Sequence, residues 1–508
     1  MTTLRSEKKS QPRGGRVRSE SPRRPAPELI FGDLWEFDPA PETADPKLKS
    51  RYDLFINGRF VAAKSGRTFT SVNPATEKPL AEIALAGSDD VDAAFSAASA
   101  AFPGWSQLRG AERGKFLFRL ARLLQDRARE FAVAETLDGG KPIKESRDFD
   151  VPMAAAHFFY HAGWADKLAY AFPGARPAPL GVVAQVIPWN FPLLMLAWKL
   201  APALACGNTV VLKPAETTSI TALKFAEIIQ EAGLPPGVVN FVTGAGETGA
   251  AVVNHPAAAK VAFTGSTEVG RQIMRATAGT AKKLTLELGG KAANIIFDDA
   301  PLDQAVEGIV NGIFFNQGHV CCAGSRLLVQ ESAVDAVLTR LKNRLRTLRV
   351  GDPMDKNTDI GAINSKAQLE KIEELVASGV KEGAELYQPA CRLPGRGWFF
   401  KPTLFSGVQM SHRVAREEIF GPVLSILTFR TIEEAVEKAN NTAYGLSAGV
   451  WTDKGSRILK LSTELKAGVV WANTYNKFDP SSPFGGYKES GFGREGGRQG
   501  LADYVKLT

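Results

Sequence analysis

Between residues 180 and 290 the chain alternates between short apolar runs and amphipathic stretches, and few folds can accommodate that pattern. "LGVVAQVIPWNFP" (180–192), "NTVVLKPAE" (208–216), "GVVNFVTG" (237–244), "KVAFTG" (260–265) and "KLTLELGG" (283–290) read as strands rich in β-branched residues. Between them "TALKFAEIIQEAG" (221–233), "ETGAAVVNH" (247–255) and "STEVGRQIMRATAG" (266–279) carry helical spacing, the first closed by Gly233 and Pro235. Strands apolar throughout, alternating with helices, predict a parallel α/β sheet covered on both faces. A second α/β run follows from about 292 to 475, and the two halves are not copies of each other. Upstream, "DLFINGRFV" (53–61) predicts a hairpin about Asn57-Gly58. Residues 88–150 predict helices, and the stretch beginning at Arg113 predicts a single helix that stops at Gly139-Gly140.

The 508 residues exceed one domain, and 44% hydrophobic with 23% charged residues describes a globular chain. The net charge of +8 is concentrated: residues 1–24 hold eight basic and two acidic side chains, leaving about +2 for the rest. This Ser-, Pro- and Arg-rich tail, continued by a Pro-punctuated linker to residue 50, cannot bury enough apolar surface to fold alone. Disorder is the favoured reading; an arm for nucleic acid or a membrane surface is the weaker one. No apolar run is long enough to span a bilayer, and the tail resembles neither a secretory signal nor a transit peptide. Four cysteines provide no disulfide framework, which points to a reducing, cytoplasmic compartment. The i, i+4 pair His157 and His161 has no acidic third ligand nearby and reads as structural rather than metal-binding.

Two of the four cysteines are adjacent, in "FFNQGHVCCAGSR" (314–326). Neighbouring Cα atoms lie about 3.8 Å apart and disulfides need roughly 4.4–6.8 Å, so a Cys321–Cys322 bridge is disfavoured. Neighbouring side chains also diverge, so at most one of the pair is expected to face a substrate. A second candidate is the turn in "KVAFTGSTEVG", where Gly265 precedes an N-cap at Ser266 or Thr267. Such a strand-to-helix turn presents N–H groups to an anion, typically a nucleotide phosphate. Gly265 and Gly270 match the outer glycines of G-x-G-x-x-G, but Thr267 replaces the middle one, so a purely structural turn explains it equally well.

Seven stretches together, "IPWNFP" (187–192), "LKPAE" (212–216), "FTGSTEVG" (263–270), "ELGGK" (287–291), "NQGHVCCAGSR" (316–326), "EEIFGPV" (417–423) and "PFGGYKESGFGRE" (483–495), resemble the aldehyde dehydrogenase superfamily. They occur in that family's order across roughly residues 51–508. The resemblance implies a Rossmann-type parallel-sheet cofactor domain, an α/β catalytic domain and a small β oligomerisation element. The implied boundaries are a tail and linker over 1–50, an NAD-binding domain from 51–158 and 180–289, a catalytic domain over 290–480, and bridging elements at 159–179 and 490–508.

The same resemblance implies an NAD-dependent oxidation of an aldehyde to the carboxylic acid. Cys321 is the implied nucleophile, Asn190 the donor to its oxyanion, and Glu287 the base that activates water against a thioester. Lys213 and Glu216 match positions that hold the adenosine ribose, and a carboxylate there favours NAD over NADP. Ser266, beside Trp189, matches the pyrophosphate contact, with Gly265 and Gly270 in its turn, and Glu418 and Phe420 match the nicotinamide-ribose clamp. Phe191, Met195, Trp198, Val320, Cys322, Phe478 and Phe484 match the substrate funnel, which implies aliphatic or aromatic aldehydes rather than charged ones. The chain departs from the family in three places. His319 stands where Gln or Glu is usual, and it either affects thiolate formation or packs. Gly361-Ala362 replaces a usual Gly-Pro and is expected to loosen one turn. The ending "ADYVKLT" is short against members whose last strand reaches a neighbouring subunit, so a homodimer is as compatible as a homotetramer. The competing reading is a catalytically inactive relative serving as a scaffold, against which intact Cys321, Asn190 and Glu287 argue.

Overall fold

The computed structural model of the chain describes residues 38–508. The expectation for the basic tail falls on residues 1–24, outside the described residues. Residues 39–50, read as linker, are docked in part: the Glu42 N–H donates to the Met354 carbonyl, and its buried carboxylate pairs with Arg129 at 2.9 Å.

Two large sheets organise the molecule. The first has eight strands in the order Gly491–Phe492, Lys283–Glu287, Ala258–Thr264, Val182–Val186, Thr209–Lys213, Val239–Phe241, Leu54–Ile56 and Arg59–Val61. Its five central strands run parallel, while the Asn57-Gly58 hairpin and Gly491–Phe492 add antiparallel edges. Asn57 and Gly58 both adopt positive φ (52° and 75°), the pairing a tight two-residue hairpin requires. Every residue of Thr209–Lys213 and Val239–Phe241 is buried, as strands covered on both faces must be. The second sheet has seven strands, Glu385–Tyr387, Thr403–Ser406, Val423–Phe429, Arg326–Gln330, Ala293–Ile296, Ser447–Trp451 and Val469–Ala472, parallel except for the first. Sequential strands add on either side of Val182–Val186, so strand order reverses between it and Ala258–Thr264. A crevice at the carboxyl ends of strands on either side of such a reversal is where α/β sheets bind ligands.

The helical region differs from expectation in one respect. The predicted single helix is two, Gly110–Asp126 and Ala128–Gly139, because Arg127 leaves helical geometry and its guanidinium reaches Glu130 and Glu227 at 2.6 and 2.7 Å. The stop is as expected, with Gly140 at φ 83°. At the far edge Val505–Leu507 pairs antiparallel with Pro177–Pro179. Among the described residues no helix is long and apolar enough to cross a membrane, and no group of three metal-ligating side chains occurs.

His157 and His161 sit on the helix Val151–Trp164, both fully buried, and His161 Nδ1 lies 2.8 Å from the His157 carbonyl, to which it donates. Burial pushes His161 down to about 4 and His157 well below the usual imidazole range. Because the unfolded chain then takes up protons first as pH falls through about 6.5, stability is complete above that value and declines below it. The melting temperature is expected to fall between pH 7 and pH 5, each such histidine contributing about 1.4 kcal/mol per pH unit below its unfolded pKa. His157→Leu, which removes a ring with no hydrogen-bond partner, should flatten that slope in a thermal melt.

Candidate active site

One cavity of about 680 Å³ opens at the carboxyl ends of the first sheet's strands and reaches the segments entering and leaving the second. Its size falls in the range of small-molecule sites. Every site residue expected from the sequence lines it except Gly270. Gly270 serves the site indirectly: a Cβ there would meet Leu288 Cδ2 at 2.5 Å, so glycine lets the helix Thr267–Thr277 close on the strand leading to Gly289.

The first sheet contributes one wall. Ile187 to Phe191 follow Val182–Val186, Lys213 ends its strand, Gly265 and Ser266 follow Ala258–Thr264, and Glu287 ends Lys283–Glu287. Ser266 caps its helix, its Oγ accepting from Val269 N at 3.3 Å, which leaves the first-turn N–H groups facing the cavity mouth. Lys213 is buried and its Nζ lies 3.6 Å from the half-exposed Glu216 carboxylate; burial lowers its pKa and Glu216 opposes that shift. Glu418 enters from the other side, its Oε1 accepting from Gly290 N at 3.0 Å. Phe420 adopts φ 57°, and its carbonyl is held by Gln368 Nε2 at 3.0 Å. These residues fit a nicotinamide dinucleotide: a lysine and carboxylate at one strand end, a helix N-terminus for a pyrophosphate, and a second carboxylate for the distal ribose.

The reactive residues converge from both sheets. Cys321 and Cys322 lie in the irregular segment 319–325, ahead of Arg326–Gln330. Both are free thiols, and both line the cavity. Of the two, Cys321 is half-buried, while Cys322 is buried with its sulfur 3.8 Å from Asn476 Oδ1. A hydrogen bond with the Cys322 thiol, and then burial, raise the Cys321 thiol well above its ordinary range. Glu287 is buried, and neither carboxyl oxygen has a hydrogen-bond partner among the described residues. Burial, and then the nearby Glu495, push its pKa far up; Cys321 adds to the rise, while Lys199 and Arg494 oppose it. Asn190 Nδ2 spends one hydrogen on the His319 carbonyl at 2.8 Å, leaving its second hydrogen free for the cavity.

The turn before Cys321 is unusual. Asn316, Gln317 and Gly318 adopt φ of 49°, 53° and 75° in succession, and the two that are not glycine carry strain of roughly 1–2 kcal/mol each. Side-chain ties hold them there: Gln317 Nε2 donates to the Ala362 carbonyl at 3.0 Å, and Gly361 N donates to Gln317 Oε1 at 3.3 Å. Gly361-Ala362 is consequently tethered where loosening was expected. The Ala362 N–H, which a proline would lack, donates to the Gly140 carbonyl at 2.9 Å. His319 is buried with its ring against Trp189 (4.8 Å) and Phe420 (5.8 Å), and burial lowers it to about 3. It is a neutral packing residue, the second of the two alternatives.

Aromatic rings fill the remaining wall. Phe191, Met195 and Trp198 share one face at the start of the helix Pro192–Ala205. Trp198 stacks on Phe484 at 5.3 Å, and Phe484 meets Phe478 at 5.7 Å. Phe149 completes the wall 5.9 Å from Phe478, yet the sequence did not reveal it. It lies in a π-helical stretch, Ser146–Asp150, whose widened turn has no signature in "SRDFD". Gln368 and Lys371 were missed for another reason: they come from the helix Lys366–Lys381, far away in sequence.

A two-sheet α/β body whose central cavity is lined by a half-buried thiol, a buried carboxyl and a strand-end lysine has the build of a nicotinamide-dependent dehydrogenase. The model of the aldehyde dehydrogenase family matches residues 60–508. Human retinal dehydrogenase 2 is 46% identical over 476 residues, spanning 91% of this chain and 92% of its own. The NAD+ complex of an aldehyde dehydrogenase from Bacillus cereus superposes with a TM-score of 0.88 at 44% identity, covering 90% of this chain and 96% of that one. Indole-3-acetaldehyde dehydrogenase from P. syringae, in complex with NAD+ and IAA, gives 0.88 at 41% identity, covering 91% and 96%. The chain belongs to the aldehyde dehydrogenase family and is an NAD(P)-dependent aldehyde dehydrogenase.

The strained turn gives a direct test of the site's construction. A Cβ on Gly318 would lie 2.1 Å from the Gly421 carbonyl oxygen, a backbone atom that cannot swing aside. Gly318→Ala is expected to lower aldehyde turnover at least about 100-fold and stability by about 2 kcal/mol or more, read by steady-state kinetics and a urea melt.

Proposed function

We propose that this enzyme oxidises apolar aliphatic or aromatic aldehydes to carboxylic acids with NAD, through a covalent intermediate on Cys321. One observation carries the mechanism: Glu287 presents a fully buried carboxyl, without a hydrogen-bond partner, to the cavity that also holds the Cys321 thiol. A buried carboxyl that satisfies nothing in the resting protein is costly, and it fits a group kept free for a transient proton.

The steps follow from these residues. The Cys321 sulfur bonds to the aldehyde carbon as its proton passes to the Glu287 carboxylate. The resulting oxyanion is met by the second Asn190 Nδ2 hydrogen, whose partner hydrogen is already fixed on the His319 carbonyl. A nicotinamide dinucleotide bound against Glu418, Ser266 and Lys213 supplies the acceptor for the hydride that this carbon loses. Glu287 releases that first proton to solvent and, again a carboxylate, takes a proton from the water that attacks the thioester on Cys321; the C–S bond breaks, the acid departs, and Glu287 returns its proton to the expelled sulfur, which restores the thiol. Hydrolysis in place of transfer to another thiol rests on Glu287.

The NAD preference rests on Glu216, whose carboxylate accepts from a ribose 2′-hydroxyl and repels a 2′-phosphate. The substrate class rests on the wall of Phe149, Phe191, Met195, Trp198, Phe478 and Phe484, which contains no cation to hold a substrate carboxylate. The relatives named for retinal and for indole-3-acetaldehyde are named for apolar aldehydes, which supports the same class.

Kinetics test each part. Cys321→Ser is expected to lower NADH production at least about 1,000-fold, whereas Cys322→Ser shifts substrate preference and retains turnover; equal losses overturn the assignment. Wild-type turnover should climb as pH rises through the elevated Glu287 pKa, because only the carboxylate accepts a proton, and Glu287→Gln should remove that limb together with most of the turnover. kcat/KM for hexanal and benzaldehyde should exceed that for succinic semialdehyde, and kcat/KM for NAD that for NADP. The reverse order in either pair removes the corresponding claim.

A further inference from the structure

Asn316 does not line the cavity, yet it joins the two segments whose residues must act together. Its side-chain Nδ2 donates to the Asn190 carbonyl at 2.8 Å and, at 3.4 Å, to the same His319 carbonyl that Asn190 Nδ2 occupies. Its carbonyl accepts from His319 N at 2.8 Å, and its own N–H donates to Glu145 Oε2 at 2.9 Å. All of these groups are buried. One asparagine therefore spans the loop bearing Asn190 and the turn bearing Cys321, and its left-handed backbone (φ 49°) is what lets it face both.

We propose that Asn316 is a positioning residue for oxyanion stabilisation: it sets the distance and direction between the free Asn190 hydrogen and the carbon attached to Cys321. The His319 carbonyl is the shared pivot. With two amides converging on one oxygen, Asn190 cannot rotate its Nδ2 towards the cavity wall, and its second hydrogen stays aimed. Glu145 fixes the other end of the span, and burial raises its carboxyl to about 8, so at neutral pH it is largely a neutral acceptor whose Oε2 takes the Asn316 N–H. The span adds no new reacting group. It removes a rotational freedom that would otherwise have to be lost in the transition state, where preorganised donors have their largest effect.

This inference rests on the aldehyde oxidation proposed above, and the experiment separates the two. Wild-type protein that oxidises neither hexanal nor benzaldehyde overturns that reading alone. Given an active wild type, Asn316→Gly keeps the left-handed backbone and removes only the amide. It is expected to lower kcat on the order of 10- to 100-fold, somewhat less than loss of an oxyanion donor itself, with KM for NAD within twofold. In the Asn190→Ala background the same change should cost less than about twofold, because nothing remains to be aimed. Asn316→Asp keeps the shape but donates only when protonated, so its kcat relative to wild type should recover as pH falls. Equal penalties in both backgrounds, or kcat within twofold of wild type, overturn the proposal. Unfolding of both single variants in a thermal melt would assign Asn316 to stability and overturn it as well.

Discussion

Burial of titratable side chains where the first sheet's strands end governs the rest of the structure. Side chains that follow those strands leave a hydrogen-bonded ladder and enter a cavity walled by aromatic rings. Charge is expensive there. The Glu287 carboxyl and the Cys321 thiol are both driven towards their neutral forms, and Cys321 raises Glu287 further, while Glu418 adds to the rise of Cys321. At rest the site therefore carries little of the charge its chemistry needs. The hydrogen bond with Cys322, and then burial, hold the Cys321 thiol towards its neutral form. The ion pair of Lys199 with Glu495, fully buried beside Glu287, acts in opposite directions: Glu495 resists ionisation of Glu287 and Lys199 favours it. The reactivity of Glu287 thus depends on a pair that never touches substrate.

How much of this was legible in the chain depends on whether the signal was local. Strand-helix alternation is a short-range pattern; it located each parallel strand of the first sheet and left the N-cap at Ser266 or Thr267, of which the structure takes Ser266. The neighbours of each strand are decided by long-range pairing, so the antiparallel edge Gly491–Phe492, over two hundred residues from its partner, carried no signal. The break at Arg127 is of the same kind, since the guanidinium that stabilises it reaches Glu227, a hundred residues downstream. Of the site residues, those in short dense motifs were found. Phe149 was not, because a π-helical turn redirects it, and Gln368 was not, because its task is to hold the backbone carbonyl of Phe420. Gly270, expected in the turn against the cofactor, lies instead inside the helix Thr267–Thr277 and serves through packing on Leu288, not at the cavity surface.

Two departures from the family's usual residues show how far a motif can be trusted once its surroundings are known. His319 replaces an amide or acid, and in a sealed aromatic slot between Trp189 and Phe420 an imidazole has only its neutral form available. Its ring contributes shape, while its main-chain carbonyl, which any residue would supply, is the atom the site uses. Ala362 replaces a proline and gains a donor, which ties the nucleophile turn to Gly140 at the end of the helix Ala128–Gly139. Both substitutions keep the backbone geometry around Cys321 and change only what the side chain, or the missing ring, adds.

The adjacent cysteines are separated by the same backbone logic and not by intrinsic reactivity. Cys322 is pinned: its carbonyl accepts from Tyr475 Oη at 2.8 Å and Ser447 Oγ at 3.1 Å, and its sulfur lies 3.8 Å from Asn476 Oδ1. These bonds tie residue 322 to the second sheet, at the strand Ser447–Trp451 and the segment that follows Val469–Ala472. Cys321, one residue earlier, inherits its place from the left-handed turn and from the His319 carbonyl, both tied to the first sheet through Asn190 and Asn316. The boundary between the two sets of ties falls at the peptide joining the two cysteines. The two sets of ties meet across this peptide, where the Cys321 thiol hydrogen-bonds that of Cys322 and Ala323 N donates to the Val320 carbonyl at 3.0 Å. Two chemically identical thiols thereby differ in surroundings: Cys322 is buried and tied to the second sheet, and Cys321 is half-buried at the cavity.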